Sequence, residues 1–289
     1  MHLLTRLLTL LIMLGCVFPV VAEDLHYEAT LEDSTWGTDS SPLLCTLSHP
    51  VDLFGRAEFY QYAGYQPGFR FFVNQPPIRK GSVIMHSRPP GWKHDQVGHE
   101  IGKYSYQPGE TPFRFKRAIS LRLMAELEKG MTPVFSFKDW GDGRDNVEAV
   151  LSSVRFRDAL GKFRDCMGKI IPYDYDKVRN TWVYFETAKY TLTAKARRQL
   201  DAIAVFLNRD PSVKHAKVEG HADDRGSHSY NNTLSEQRAL AVRDYLLKKQ
   251  VPAEKLLVRY FGKRKPASNN ISSKGRAQNR RVSVILVRE

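Results

Sequence analysis

The sequence predicts two domains, a β-rich (α+β) module followed by an α/β domain whose mixed sheet carries helices on one face. At 289 residues the chain is long enough for both. Charge divides it in the same way: residues 23–172 contain 19 Lys and Arg against 19 Asp and Glu, whereas residues 173–289 contain 24 against 12. Near Pro172, short segments punctuated by Gly and aromatic residues give way to alternating strands and helices. We therefore place the domain boundary at about residue 172.

Residues 1–22 have the pattern of a cleavable secretory signal. One basic residue, Arg6, precedes a broken apolar run, and Val20-Val21-Ala22 stands before an acidic pair. The run falls short of the roughly 20 apolar residues of a membrane span, and no other segment of the sequence approaches that length. We expect export with cleavage after Ala22. An uncleaved anchor is one alternative, and Leu14-Gly15-Cys16 leaves a lipid anchor at Cys16 as another.

In the N-terminal domain, aromatic and β-branched residues bounded by Gly predict strands at residues 68–73 and 81–85. A helix is predicted at about 118–129, because a Gly and a Pro follow it. A second helix is predicted from about Arg155, because apolar residues recur there at 3.6-residue spacing. Its apolar face consists of Phe156, Leu160, Phe163, Met167 and Ile170.

Two cysteines, Cys45 and Cys166, remain once the signal is removed. An even number of cysteines in an oxidising compartment makes a disulfide the default expectation. Such a bond would pin the last helix of the N-terminal domain to its first strands. The chain-entropy model gives about 4.7 kcal/mol for closing a loop of about 100 residues, which is an upper figure. Two free buried thiols are the alternative.

In the C-terminal domain, strand and helix patterns alternate. Short apolar runs predict the strands, and apolar residues at 3.6-residue spacing predict the helices. The predicted strands are residues 182–185, 213–219, 257–261 and 282–287, and the predicted helices are residues 193–208 and 235–250.

The loop after the strand at 213–219 brings two opposite charges close together. Asp223 lies in the loop, and Ser235 as the helix N-cap would put Arg238 in the first helical turn. A ligand with an ammonium and a carboxylate on one carbon would be held by both, because Arg offers a planar two-donor fork. Each charged hydrogen bond would contribute roughly 1.5–3 kcal/mol. Alternatively, Asp223 only orders its own turn and Arg238 is a solvated surface residue.

The sequence contains no arrangement of nucleophile, base and acid that would indicate an enzyme. Ser48-His49 lacks partners, and the histidines at 86, 94 and 99 have no metal-ligand spacing. We interpret the latter as solvated loop residues, and we expect no catalytic residue, cofactor or metal site.

The loop and helix sequences resemble a known signature. Gly220-His221-Ala222-Asp223-Asp224-Arg225-Gly226, Leu234-Ser235-Glu236-Gln237-Arg238-Ala239 and Asn279-Arg280-Arg281-Val282 resemble the peptidoglycan-binding motif of OmpA-like domains. The resemblance implies that Asp223 and Arg238 hold the diaminopimelate of the cell-wall stem peptide. It also implies that Arg280 assists, although packing of its aliphatic stem on the sheet is an equal alternative. Ala222 stands where the family commonly has Thr.

The N-terminal half resembles the N-terminal domain of the MotY family. The resemblance implies that this domain associates with the flagellar basal body (P/L ring region) and with MotX in the T ring. It further implies a periplasmic location, with the C-terminal domain near the stator B subunit (PomB/MotB type). The residues that carry it are Tyr27-Glu28-Ala29, Cys45-Thr46-Leu47-Ser48-His49-Pro50, Leu127-Glu128-Lys129-Gly130, Phe135-Ser136-Phe137-Lys138-Asp139-Trp140 and Val150-Leu151-Ser152-Ser153-Val154.

The basic C-terminal half is expected to attract an acidic partner such as peptidoglycan. Nucleic acid is disfavoured, because the basic clusters have no interleaved aromatic residues and the protein is expected to be exported. We therefore expect a structural component of the polar flagellar motor that docks on the basal body and grips the wall. One alternative is a general envelope-stabilising protein that is unrelated to motility. Another is a wall-degrading enzyme whose catalytic part is the N-terminal half.

Overall fold

The computed structural model describes residues 24–91, 93 and 95–289. The predicted signal sequence, with Cys16, and His94 lie outside this part of the chain. Within it, every helix is too short or too polar to cross a membrane.

The described part of the N-terminal domain is built mainly from short strands. They are β1 (Asp24–Tyr27), β2 (Gly37–Ser40), β3 (Leu44–Val51), β4 (Gly55–Tyr62), β5 (Gly68–Val73), β6 (Gly81–Arg88), β7 (His99–Tyr106), β8 (Phe113–Phe115), β9 (Thr132–Lys138) and β10 (Asn146–Val150).

These strands form two five-stranded sheets, ordered β1-β10-β9-β6-β7 and β2-β3-β4-β5-β8. Phenylalanines from both sheets meet between them. Phe135 of β9 stacks on Phe69 of β5 at a ring-centroid distance of 5.7 Å and meets Phe71 edge-on at 5.6 Å. Each aromatic side chain buries about 150–250 Å², so this aromatic contact forms the centre of the core. The predicted β-rich module is confirmed.

Two helices cover the sandwich, α1 (Arg117–Glu128) and α2 (Phe156–Lys169). Helix α2 buries the predicted apolar face, including Phe156, Leu160 and Phe163, and packs against β2 and β3. Cys166 of α2 forms a disulfide with Cys45 of β3, with the two Cα atoms 5.9 Å apart. The predicted disulfide is therefore present, and it ties the last helix of the domain to an early strand.

The C-terminal domain has one mixed four-stranded sheet. Helices α4 and α5 pack on one face of it, as predicted. Its strands are β11 (Asn180–Tyr184), β12 (Val213–Gly220), β13 (Leu256–Tyr260) and β14 (Arg281–Arg288), in the order β11-β14-β12-β13. Its helices are α3 (Tyr175–Val178), α4 (Ala194–Arg209), α5 (His228–Lys248) and α6 (Ser273–Asn279), with a single 3-10 turn at Ala253–Lys255.

The predicted start of the long helix was wrong. Helix α5 begins at His228, and its N-cap is Ser227, whose Oγ accepts from the Tyr230 N–H at 3.1 Å. Ser235 lies inside the helix, where its Oγ accepts from the Gly262 N–H at 2.9 Å. The first turns are polar and lack an apolar stripe, so periodicity did not reveal them. Arg238 consequently lies ten residues into the helix.

The two domains are in direct contact at the end of α2. Tyr65 donates from its Oη to Asp174 Oδ2 at 2.7 Å, and Arg209 of α4 donates to the Lys169 carbonyl oxygen. Gly64 has a φ of +75°, and a Cβ on it would lie 2.2 Å from the Asp174 nitrogen. Only glycine fits this close approach, so the junction is packed through backbone as well as side chains.

Candidate functional site

The predicted ligand loop lies at one end of the C-terminal sheet, where β12 leads towards α5. A Cβ on Gly220, the last residue of β12, would lie 2.1 Å from the Ser235 carbonyl oxygen, so strand and helix nearly touch. The Ala222 N–H donates to the Gly262 carbonyl oxygen at 2.9 Å. Gly226 has a φ of +90°, which glycine adopts readily, and makes the turn into α5. The loop is thus held on both sides.

Asp223 forms an ion pair with Arg280. Its Oδ2 lies 3.1 Å from Arg280 Nη1, and its Oδ1 accepts from the Arg225 N–H at 3.2 Å. Arg280 Nε also donates to the Phe185 carbonyl oxygen at 3.2 Å, so this guanidinium links the end of β11 to the loop after β12. The Asp223 and Arg280 side chains are 9% and 15% exposed, which leaves one edge of the pair open to solvent.

Arg238 is fully buried next to this pair. Its guanidinium donates three hydrogen bonds to backbone carbonyl oxygens: Nε to Lys189 at 3.0 Å, Nη1 to His221 at 3.1 Å and Nη2 to Glu186 at 3.1 Å. A guanidinium has five N–H groups, so two remain for another acceptor. Arg238 therefore fixes the loop after β11 as well as the end of β12.

Burial lowers the pKa of Arg238 to about 10, while the nearby charge of Asp223 opposes that shift and Arg280 adds to it. The guanidinium remains positive at neutral pH. Its charge is desolvated and further balanced by the Phe185 ring, whose centroid lies 5.4 Å from the guanidinium carbon. An anion arriving at this point would meet a charge that water screens little.

The structure brings the three predicted site residues together, but in a different arrangement from the one expected. The ion pair joins Asp223 to Arg280, and Arg238 lies below, without a described ion pair of its own. Motif spacing alone did not indicate this division of roles, because Asp223 and Arg280 are 57 residues apart.

Asn231 is a residue of this site to which the sequence patterns assigned no role. Its Nδ2 donates to the Arg225 carbonyl oxygen at 3.0 Å and so holds the ligand loop against α5. Its Oδ1 is buried and has no hydrogen-bond partner. A polar side chain in the first turn of a helix after a Gly-containing loop was the available signal.

The run at 279–282 spans the end of α6 and the start of β14, and its residues have different partners. Asn279 Oδ1 accepts from the Ala267 and Ser268 N–H groups at 2.7 and 3.0 Å and orders that loop. Arg281 begins β14, and its Nη2 donates to the Lys265 carbonyl oxygen at 3.3 Å. Of these four residues, only Arg280 contacts Asp223 among the described interactions.

The histidines named as loop residues are placed differently from the prediction. His86 lies in β6, where it pairs with Glu100, and His99 lies in β7, where it pairs with Ser87. His49 is buried; its Nδ1 lies 2.8 Å from the Thr35 carbonyl oxygen, and burial lowers its pKa. The described residues contain no group of three or more His, Cys, Asp and Glu that could hold a metal ion.

Two family models match the chain. The MotY N-terminal domain matches residues 27–172, and the OmpA family matches residues 184–280. The candidate site lies within the second match.

One relative matches nearly the whole chain, and others match about a third of it. The sodium-type flagellar protein MotY of Vibrio parahaemolyticus is 29% identical over 273 residues, covering 91% of this chain and 90% of that protein. The peptidoglycan-associated lipoprotein of Haemophilus influenzae is 41% identical over 104 residues, covering 36% of this chain and 67% of that protein. The solved structure of the peptidoglycan-associated lipoprotein from Burkholderia pseudomallei is 30% identical, with a TM-score of 0.35, and the match covers 37% of this chain and 89% of that one. The chain belongs to the MotY family, with a MotY N-terminal domain followed by an OmpA family domain.

Proposed function

We propose that this protein is a periplasmic structural component of the flagellar motor that binds peptidoglycan through its C-terminal domain. The observation that carries the proposal is one partly open carboxylate, Asp223, beside two guanidinium groups, Arg280 and Arg238, at the end of one sheet. The proposed ligand is the diaminopimelate of the stem peptide, which has an ammonium and a carboxylate on the same carbon.

In this proposal the bound ligand replaces an internal ion pair of the protein. In the free protein Asp223 and Arg280 neutralise each other. The ligand ammonium binds Asp223 and its carboxylate binds Arg280, so that one ion pair becomes two. Arg238, with two undonated N–H groups, holds the carboxylate from below, and the unpaired Asn231 Oδ1 is a further acceptor for the ammonium.

The wall-binding step is tested by co-sedimentation of the full chain with purified peptidoglycan. Asp223→Ala should weaken binding about 10- to 100-fold, the equivalent of one lost charged hydrogen bond. Asp224→Ala is the matched control, because the neighbouring Asp224 is exposed and its charge is the same. Equal sedimentation of Asp223→Ala and the parent would refute the proposed role of Asp223.

We further propose that the N-terminal domain docks on the basal body in the P/L ring region and assembles with MotX in the T ring. Membership of the MotY family supports this half of the proposal. The wall-bound C-terminal domain would then lie near a stator subunit of the PomB/MotB type. Several copies in a ring would strengthen the wall contact, because linked sites bind at high effective concentration.

Motility of a deletion strain separates this proposal from a general envelope function. Loss of swimming with an intact envelope, restored by the parent gene, is the expected result. Normal swimming with a leaking or misshapen envelope would instead support an envelope-stabilising protein that is unrelated to motility.

A further inference from the structure

The edge strand of the C-terminal sheet carries two exposed aromatic side chains that the candidate stem-peptide site does not use. Trp182 and Tyr184 of β11 are 50% and 49% exposed, whereas Val183 between them is buried. Residues two apart in a strand point to the same face and lie about 7 Å apart. The two rings therefore form one platform, on the face opposite the one that buries Val183 under the helices.

This aromatic platform is continuous with the candidate site. Phe185 follows Tyr184 directly, accepts from Arg280 Nε through its carbonyl oxygen, and places its ring beside Arg238. The next carbonyl, that of Glu186, accepts from Arg238 Nη2. Strand β11 thus leads from the platform into the floor of the site, within three residues of Tyr184.

Polar groups without partners lie beside the platform. Arg281 pairs in register with Tyr184 across β11 and β14, and its Nε and Nη1 have no hydrogen-bond partner although the residue is only 8% exposed. His221, directly after the end of β12, is 2% exposed, and its Nδ1 also has no hydrogen-bond partner. Sugars present apolar C–H faces edged by hydroxyl and acetamido groups. Exposed rings beside buried, unpaired polar nitrogens suit that chemistry, because the rings can contact the C–H face of the sugar and the nitrogens its polar groups.

We propose that the Trp182–Tyr184 platform binds the N-acetylated glycan strand of peptidoglycan while the Asp223 site holds the attached stem peptide. The inference rests on the proposed wall binding. A stem peptide spans at most about 10 Å from its sugar to its third residue. Strand β14 separates β11 from β12, which puts the platform strand about 10 Å from the strand that ends at the Asp223 loop. One repeating unit can therefore reach both places.

The test presents sugar and peptide separately to the full chain. One probe is labelled glycan strand from which an amidase has removed all peptides, and the other is a diaminopimelate-containing tripeptide without sugar. Trp182→Ala is expected to lower the affinity for the stripped glycan at least fivefold and to leave the tripeptide affinity unchanged. Asp223→Ala should lower the affinity for the tripeptide and leave the affinity for the stripped glycan unchanged. Tyr260→Ala is the matched control, since Tyr260 is a similarly exposed aromatic residue on β13.

Each probe tests one of the two sites independently of the other. The platform proposal is overturned if the stripped glycan binds Trp182→Ala and Tyr184→Ala as tightly as it binds the parent. It is also overturned if the stripped glycan does not bind the parent. Lost motility of these two variants with unchanged glycan affinity would assign the platform to a protein partner instead. Failure of the parent to bind the tripeptide would count against the proposed stem-peptide site. Retained tripeptide binding by each platform variant shows that its C-terminal domain is folded.

Discussion

Replacing Arg238 with Ala is expected to destabilise the C-terminal domain, beyond removing a ligand contact. The guanidinium donates to the carbonyl oxygens of Glu186, Lys189 and His221, which tie the loop after β11 to the end of β12. Each buried acceptor left unpaired costs about 1–3 kcal/mol. Two of the three bonds are only part-buried, so water offsets some of the loss. We therefore expect a decrease of about 3–6 kcal/mol in the free energy of unfolding, a large fraction of the roughly 5–15 kcal/mol of an ordinary protein.

Urea unfolding of the full chain, followed by tryptophan fluorescence, measures this loss; subtracting the curve of a Trp182→Phe version of each protein isolates the signal of Trp182 in β11, which reports on the C-terminal domain. Arg243→Ala is the matched control, because Arg243 lies on the same helix and, among the described residues, its side chain bonds only to Asp244 at the surface. An exposed pair of this kind contributes about 0–1 kcal/mol. If Arg238→Ala unfolds within about 1 kcal/mol of Arg243→Ala, the structural role assigned to the buried guanidinium is wrong.

Three further predictions concern other parts of the molecule. Cys166→Ser should destabilise the N-terminal domain by up to about 4–5 kcal/mol; a urea midpoint equal to that of the oxidised parent would contradict a stabilising disulfide to Cys45. Burial and nearby positive charge lower the pKa of His221 to about 4 in the native state, so the unfolded chain binds more protons between pH 6.5 and 4. Stability of the parent should therefore fall by up to about 3 kcal/mol as pH decreases through that window. His221→Gln should remove the part of this dependence that His221 contributes and leave the part due to other groups such as buried His49, and an unchanged slope of unfolding free energy against pH would refute the role of His221. Tyr65→Phe loses the hydrogen bond to Asp174 and should speed limited proteolysis at the domain junction, whereas an unchanged cleavage rate would show that this bond does not hold the domains together.

Local periodicity predicted those helices and strands whose buried residues lie on one face. Helix α2 is the clearest case, because its buried residues follow the 3.6-residue spacing of the sequence. Thr193, which the sequence put at the start of the next predicted helix, is the N-cap of α4: its Oγ1 accepts from the Ala196 N–H. In both cases the information lies within one turn or one face of the element.

Contacts between distant residues could not be predicted in the same way. The start of α5 was missed because its first turns are polar and are held by Ser227 and by Asn231 rather than by apolar packing. The bonds of Arg238 go to backbone carbonyl groups, which every sequence has, so nothing in the side-chain pattern marks them. The pairing of Asp223 with Arg280 depends on β14 lying next to β12, a strand order that is fixed only by the folded sheet.

The proposed function requires one chain to connect the cell wall to the flagellar motor through two different domains. Co-sedimentation of the full chain with purified basal bodies in the presence of MotX, alongside co-sedimentation with purified peptidoglycan, tests both contacts at once. We predict that the parent appears in both pellets and that Asp223→Ala is depleted from the peptidoglycan pellet but remains in the basal-body pellet. Absence of the parent from the basal-body pellet, with its disulfide formed and MotX present, would contradict the claim and favour a general envelope protein.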